Sequence, residues 1–490
     1  MKDSILQRLA GWAEQADHAD KLCLADAKGS VTYAEMWDHI RRAAAYFKSI
    51  GLKQGDCVVV QCTQDINYLV CYFACNLIGA VFVPVERGAS AGRIVEILTD
   101  TEAKIYIGMK AMEEAPANMD IRKVRELSAD CEPLSDYEFP EMENLSEILF
   151  STGTTGKSKG IMLSYANNIA IAENVTNGVS MKPDNVELVP MPLSHSHGLR
   201  RTLSNLYNGS SVVLINGVTL IKQFFDMIEK YRVTSIDLAP TILSMVFKLS
   251  KDKLGNYRDQ MDYIQLGSAP LVQEDKDRLA ELLPETRLYD FYGTTEAGCS
   301  CILDFNEVKH KAGSIGKPAV NARFIFVDEN RNPINATAEN PGYMATAGGQ
   351  NMLGYFHAPE LTESVMKDGF IYTNDYAYMD EEGLIYYIGR KDDVINCGGI
   401  KISPDEIELE VRKYPQVKDC ACVPAQDAIQ GQVPKIFVSL AEGVEELDEK
   451  DLRKFLKTML DANKLPKYIE VIDEIPRTYN GKIQRKKLLK

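Results

Sequence analysis

The chain has 490 residues, 45% of them hydrophobic and 26% charged, an ordinary globular composition at a length that calls for two or more subdomains. Its formal net charge of −15 speaks against a general nucleic-acid binder, which would present a basic face. Eleven cysteines are scattered without a C-x-x-C pair or a short-range framework, so reduced, mostly buried thiols of a cytoplasmic protein are expected instead of disulfides or a zinc site.

In chain order, the first residues carry Asp3 and no long apolar core, which excludes a signal peptide. Residues 33–50 have helical periodicity, 57–62 form an apolar strand, 66–78 are helical again and 80–84 form another strand. The apolar run 68–85 contains Asn76, Gly79 and Pro84, and so reads as a buried helix followed by a strand, not as a membrane span. Residues 91–99 and 105–108 repeat the helix–strand pattern. This alternation implies parallel sheets covered by helices on both faces. Residues 113–143 are polar and irregular and read as a connecting segment.

The next segment is S-T-G-T-T-G-K-S-K-G at 151–160, between the apolar Ile148-Leu149-Phe150 and a helical run over 165–175. Its glycines let the backbone bend tightly, and consecutive N–H groups in such a loop form an anion-binding concavity. Lys157 and Lys159 add positive charge. A Ser/Thr/Gly-rich linker is the plain alternative. It is not a Walker A loop, which would need glycine where Ser151 stands.

Strands are expected at 186–191, 211–215, 235–238, 263–266 and 287–291. Ligands in open α/β sheets sit outside the carboxyl ends of strands, and several motifs fall at such ends. They are P-L-S-H-S-H-G-L at 192–199, G-S-A-P at 267–270 and Y-D-F-Y-G-T-T-E at 289–296. Each has a plainer explanation: a histidine that satisfies a carbonyl, a strand-to-helix turn, and a strand entering a helix capped by Thr294 or Thr295.

Further on come Y-T-N-D at 372–375 and Y-I-G-R-K-D-D at 387–393, where the character of the chain changes. Residues 383–388 read as one strand of a hairpin, and 404–413 as an amphipathic helix opened by Ser403. Strands at 417–423 and 435–440, a helix at 447–460, a last strand at 468–475 and a basic tail complete the chain. The expected division is a first domain over 1–389, a hinge over 390–393 and a compact α+β domain over 394–490, of usual domain size. This last part holds C-G-G-I-K at 397–401 and P-R-T-Y-N-G-K-I-Q-R at 476–485. Charge runs of this kind are otherwise solvated surface.

Taken together and in this order, the motifs resemble those of the adenylate-forming enzymes: acyl-CoA synthetases, adenylation domains and luciferases. The loop is similar to their [ST]-[ST]-G-T-T-G-x-P-K-G, with Ser158 in place of proline. The later segments resemble P-L-x-H-x-x-G, Y-G-x-T-E, T-G-D…G-R-x-[DK]-[DE] and P-R-T-x-x-G-K-x-x-R, and the set spans 148–485. The resemblance implies an α/β fold, with a large N-terminal domain of helix-covered, mostly parallel sheets and a small mobile α+β C-terminal domain.

It also implies roles. Thr152, Gly153, Thr154, Thr155, Gly156 and Lys159 would bind the triphosphate, and Gly267, Ser268 and Ala269 would line adenine and the acyl pocket. Tyr292 and Gly293 would lie at adenine, with Thr295 on the α-phosphate and Glu296 towards Mg²⁺. Asp375 would take the ribose hydroxyls, with Arg390 also reaching the nucleotide; Asn374 replaces the family's glycine, in a turn it is expected to tolerate. Asp392 matches the hinge, Gly398 and Gly399 border the pantetheine tunnel, and Lys482 matches the adenylation lysine. His195 would stand by the acyl carboxylate, and His195, Leu199 and Phe291 would line the acyl pocket.

The implied activity is an acid–thiol ligase: ATP and Mg²⁺ activate a carboxylic acid to an acyl-adenylate, and CoA takes the acyl group. The alternative acceptor is a carrier protein, expected to act in trans because no carrier domain follows Lys490. No motif supports a luciferase-like oxidase, and Glu296, Asp375, Arg390 and Lys482 together argue against a non-catalytic nucleotide binder. The segment 195–199 lacks the aspartate of amino-acid adenylating domains, and bulky Phe291 narrows the pocket, so a small or medium organic acid is expected. H-x-H-G-L resembles malonyl-CoA synthetases, and a second carboxylate could pair with Arg200 or Arg201; alternatively both face solvent or the sheet's edge. No nucleic-acid partner and no transmembrane segment are expected.

Overall fold

The computed structural model describes residues 3–151, 159–269, 271, 273–307, 311, 313–391, 393–397, 400–427, 430–477 and 482–489. The chain divides into two compact units: Met1–Lys309 with Pro318–Arg323 and Thr346–Ile371, and His310–Lys317 with Phe324–Ala345 and Tyr372–Lys490.

The first unit contains, in chain order, β1 (Leu22–Ala25), β2 (Ser30–Thr32), β3 (Cys57–Gln61), β4 (Val81–Val85), β5 (Ile105–Gly108), β6 (Asn118–Asp120), β7 (Leu145–Ser151) and β8 (Lys159–Ser164). It continues with β9 (Val186–Val189), β10 (Ser211–Leu214), β11 (Ser235–Leu238), β12 (Tyr263–Gly267), β13 (Arg287–Thr294) and β14 (Gly298–Asp304). One sheet runs β8-β7-β4-β3-β5-β6, parallel except where β7 meets β8. The other runs β2-β1-β10-β9-β11-β12-β13-β14, antiparallel only at its two ends. β3 and β4 read C-V-V-V-Q and V-F-V-P-V and are buried throughout, as parallel strands covered on both faces must be.

The helix Ile66–Leu77 is buried along its whole length and is capped by Asp65, whose carboxylate accepts from the Tyr68 amide. An all-round apolar helix of 12 residues is a core element and too short to span a bilayer. Among the described residues no helix is long and apolar enough to cross a membrane. Residues 113–143, expected to be irregular, contain β6, which extends the sheet beside β5, and a turn of helix at Val124–Leu127.

One plainer alternative fails and one local expectation is corrected. Residues 289–296 do not run from a strand into a capped helix; β13 turns back on itself as β14. The turn is built by glycine: a Cβ on Gly293 would lie 2.2 Å from the Gly298 carbonyl oxygen, and Gly298 itself sits at φ +56°. Thr294 Oγ1 accepts from the Ala297 amide at 3.0 Å and so caps the turn, not a helix. The correction concerns Asn374, which makes no positive-φ turn and lies inside the strand Phe370–Met379. That strand pairs antiparallel with Ile385–Arg390 in the second unit and sets Asp375 opposite Arg390.

The rest of the second unit includes a sheet in the order Ile400–Ile402, Ile395–Cys397, Gly431–Leu440, Val417–Asp427, with Tyr468–Val471 parallel to Gly431–Leu440. The helices Pro404–Arg412 and Glu449–Met459 supply Ile407, Val411, Leu452 and Leu456 to its core. Ser403 caps the first of these helices, its hydroxyl accepting from the Glu406 amide. The last strand ends at Val471, four residues short of the expected 475.

Candidate functional site

In the first unit, β7 and β8 form the arms of a hairpin and bring Ser151 opposite Lys159. Thr152, Gly153, Thr154, Thr155 and Gly156 lie outside the described residues. Lys159 Nζ stands 5.5 Å from the centre of the Tyr355 ring, within reach of its negative face. Tyr355 Oη donates to Glu296 Oε1 at 2.9 Å, and the Met352 amide donates to the Glu296 carbonyl at 2.8 Å. A cation, a phenol and a carboxylate from three separate segments thus meet beside the hairpin. Tyr292, Thr295 and Glu296 are half-buried around the β13–β14 turn, and Gly293 is exposed there.

The second cluster is built on the helix Ser196–Asn208. His195 is its N-cap residue, in extended backbone geometry, and its Nε2 lies 3.5 Å from Glu86 Oε1 at the end of β4. His197, on the first turn, makes the shorter contacts: Nδ1 is 2.6 Å from Ser268 Oγ and Nε2 is 2.8 Å from Asp237 Oδ1. Asp237, on β11, is fully buried. Ser268 follows β12 with φ +75°, a left-handed conformation that turns its hydroxyl out of the strand. A Cβ on Gly267 would meet the Phe291 carbonyl oxygen at 3.1 Å, Gln265 Nε2 at 3.4 Å and His197 Cε1 at 3.5 Å. Gly267, Ser268, His197 and Phe291 are therefore one neighbourhood, with half-buried Ala269 next in the chain. Leu199 is fully buried in the main core of the unit.

Arg200 and Arg201 face neither solvent nor a sheet edge. Both are buried, Arg200 against Glu147 of β7 and Arg201 against Glu187 of β9, where its Nε donates to Oε1 at 2.6 Å. Asn205 and the Tyr263 hydroxyl also donate to Glu187. Each guanidinium already has a carboxylate of its own chain, as a buried charge requires. Burial pushes the Glu187 carboxyl up, and the guanidinium beside it pulls against that. Asp290 on β13 is pushed up to about 6 by burial, against the opposing pull of Lys276, whose Nζ is 3.6 Å away.

In the second unit, Arg390 Nε lies 3.3 Å from Asp375 Oδ1; the carboxylate is buried and the guanidinium about half exposed. Asp392, Gly398 and Gly399 lie outside the described residues. Lys482 is exposed and lies between two anchored arginines. Arg477 makes a two-pronged contact with Asp419, at 2.9 and 2.8 Å, and Arg485 holds Asp405 and Glu408. The two arginines of this motif are thus structural, each held by carboxylates of its own unit.

For Mg²⁺ the donor set is spare. Among the described residues no cluster of three or more His, Cys, Asp or Glu is placed to hold a metal. One half-buried carboxylate, Glu296, still fits an ion that takes one or two protein carboxylates and completes its shell with phosphate and water.

His195 and Glu296 were evident from their motifs. Tyr355, His197, Asp237 and Glu86 were not, although the second histidine of H-S-H and an aspartate near the end of a strand were visible signals.

The family model for the AMP-binding enzyme matches residues 12–356, and that for the AMP-binding enzyme C-terminal domain matches 406–482. The 4-coumarate-CoA ligase 1 of Narcissus pseudonarcissus is 26% identical, over 96% of this chain and 90% of its own length. A feruloyl-CoA synthase of an Amycolatopsis species is 28% identical, over 93% of this chain and 92% of its own length. The crystal structure of ATP-bound MatB from Rhodopseudomonas palustris matches with a TM-score of 0.88 at 25% identity, covering 100% of this chain and 98% of that one.

Proposed function

This chain belongs to the AMP-binding enzyme family and is an acid–thiol ligase, and we propose that it uses ATP to activate a small carboxylic acid as an acyl-adenylate and then transfers the acyl group to CoA. The observation that carries this reading is the Lys159–Tyr355–Glu296 group beside the β7–β8 hairpin. It supplies a cation and a carboxylate, the two kinds of group that a magnesium-bound triphosphate calls for.

The first step joins two anions. An oxygen of the acid attacks the α-phosphorus, the bond to the bridging oxygen breaks, and pyrophosphate leaves with the electron pair. Two unit charges about 4 Å apart at an effective dielectric near 20 repel by about 4 kcal/mol, so the site needs oriented donors and cations more than a base. Lys159 and the hydroxyls and amides of 152–156 bind the phosphates, Thr295 donates to the α-phosphate, and Gly267 and Tyr292 hold adenine. Asp375 takes the ribose hydroxyls, with Arg390 alongside. Glu296 would hold Mg²⁺, which neutralises phosphate charge when bound. His195 donates to the acid's carboxylate, with Glu86 Oε1 3.5 Å from its Nε2. Lys482 bridges carboxylate and α-phosphate.

In the second step the CoA sulfur attacks the acyl carbon and AMP leaves as the anhydride bond breaks. Gly398 and Gly399 are assigned to the pantetheine arm. The ligase names of the relatives support CoA as acceptor.

The test is pyrophosphate release with Mg-ATP over a panel of mono- and dicarboxylic acids, with and without CoA, and thioester detection by mass. CoA-dependent turnover with a thioester is expected. A CoA-independent burst of about one equivalent without thioester would replace CoA by a carrier protein. Lys482→Ala should abolish adenylate formation while ATP binding is retained; unchanged turnover would remove the assignment.

A further inference from the structure

The strands β11 and β12 place Asp237 and Gln265 directly opposite one another. Both are essentially fully buried, and each has an oxygen without a hydrogen-bond partner, Asp237 Oδ2 and Gln265 Oε1. A buried polar atom left unpaired is unfavourable, so two on neighbouring strands ask for an occupant. That neighbourhood is not a sealed core. Gln265 and His197 both border Gly267, and half-buried Ser268 and His197 lead from it towards the surface.

The protons can be followed. The Asp237 carboxylate only accepts, so His197 Nε2 carries the hydrogen of their 2.8 Å contact. In the tautomer that leaves Nδ1 bare, Ser268 donates its hydroxyl hydrogen to it across 2.6 Å. This leaves the Ser268 oxygen, Asp237 Oδ2 and Gln265 Oε1, all acceptors. Arg201 carries two donors, Nη1 and Nη2, that also lack hydrogen-bond partners. Their guanidinium carbon lies 5.2 Å from the Tyr263 ring centre and 5.8 Å from that of Phe291, whose π faces take up part of its charge, and it also attracts Asp237; a hydroxyl, which accepts as well as donates, suits both the cation and the acceptors.

We infer that Ser268, His197, Asp237 and Gln265 form a subsite for an uncharged hydrogen-bond donor, a hydroxyl, on the acid that the enzyme activates. This rests on the ligase reading and deepens it: the acyl pocket ends on polar oxygens, so the acid is short and hydroxylated, and an unbroken alkyl chain is excluded. Phe291 pairs with Gly267 in the β12–β13 register, and its carbonyl oxygen borders the same space.

The test compares kcat/KM for pyrophosphate release with matched pairs of acids, each a short hydroxy acid and its deoxy parent. One arm is aliphatic and one is phenolic, and a dicarboxylate of equal length is added. A site built to bond a substrate hydroxyl rejects the analogue lacking it strongly, and a preference of about 100-fold or more for the hydroxylated member is expected in at least one arm. Gln265→Leu should reduce that ratio at least about tenfold. Asp237→Asn should do the same by changing which His197 nitrogen carries hydrogen, and melting temperatures of both variants verify that they fold. A ratio near one in both arms, or a preference for the dicarboxylate, overturns the subsite and leaves the ligase standing. No pyrophosphate release with any acid removes both.

Discussion

A carboxyl group withdrawn from water holds its proton more tightly, and only a well-placed cation reverses this. At Asp290 burial outweighs Lys276, and the group titrates near 6 in the folded chain, against about 3.9 when unfolded. Between these values the folded state holds a proton that the unfolded state has released. The contribution to stability is therefore present below about pH 4 and is lost as pH rises through about 6, by at most roughly 3 kcal/mol. Asp290→Asn cannot ionise and should escape the loss. The melting temperature of the variant minus that of the parent should climb between pH 4 and 6 and then level off; a flat difference would contradict the assignment. The two histidines differ in how far the chain alone reveals them. His195 could be singled out because its spacing matches a motif, whereas the shorter contacts of His197 are made to partners 40 and 71 positions away. Sequence spacing carries no trace of such contacts until the parallel sheet lines the strands up.

The helix Ser196–Asn208 concentrates several such contacts in one element. Its first turn bears His197, its cap is His195, and its second turn sends Arg200 and Arg201 to Glu147 and Glu187 on two different sheets. The helix is thereby tied to β7, the strand that leads into the hairpin. Its entry depends on Gly198, where a Cβ would lie 2.5 Å from the Met191 carbonyl oxygen and 2.6 Å from that of Pro192. Those are backbone atoms and cannot swing aside. Gly198→Ala should shift the helix start, lower the melting temperature and reduce kcat/KM at least about tenfold; a variant with parental kinetics would show that the two histidines tolerate the shift. Elements of this kind were legible where burial is uniform: β3, β4, β11 and β12 stand within a residue or so of where apolar runs placed them. The β13–β14 hairpin was not, because Y-G-T-T-E reads equally well as a helix start. Only the close approach of Gly293 to Gly298 decides for the turn.

At the scale of the whole chain, the residues assigned to catalysis belong to two compact units: Lys159, His195 and Glu296 to one, Asp375, Arg390 and Lys482 to the other. Asp392, which falls within the second unit, is proposed as the hinge of a reaction whose two steps make different demands on Lys482. Asp392→Pro should slow thioester formation while adenylate formation, followed by isotope exchange between pyrophosphate and ATP, is spared. Equal loss in both would refute the hinge role. The cysteines bear on the same chemistry. All eleven are free thiols, nine of them buried, and burial pushes Cys299, in the cluster that also holds Phe291, up to about 12. In the proposed reaction a mixed anhydride awaits an incoming thiol, and the enzyme's own sulfur must not intercept it. Burial raises most of the chain's own thiols and so withholds their thiolate form, which would leave the incoming thiol of the proposed reaction as the competent nucleophile.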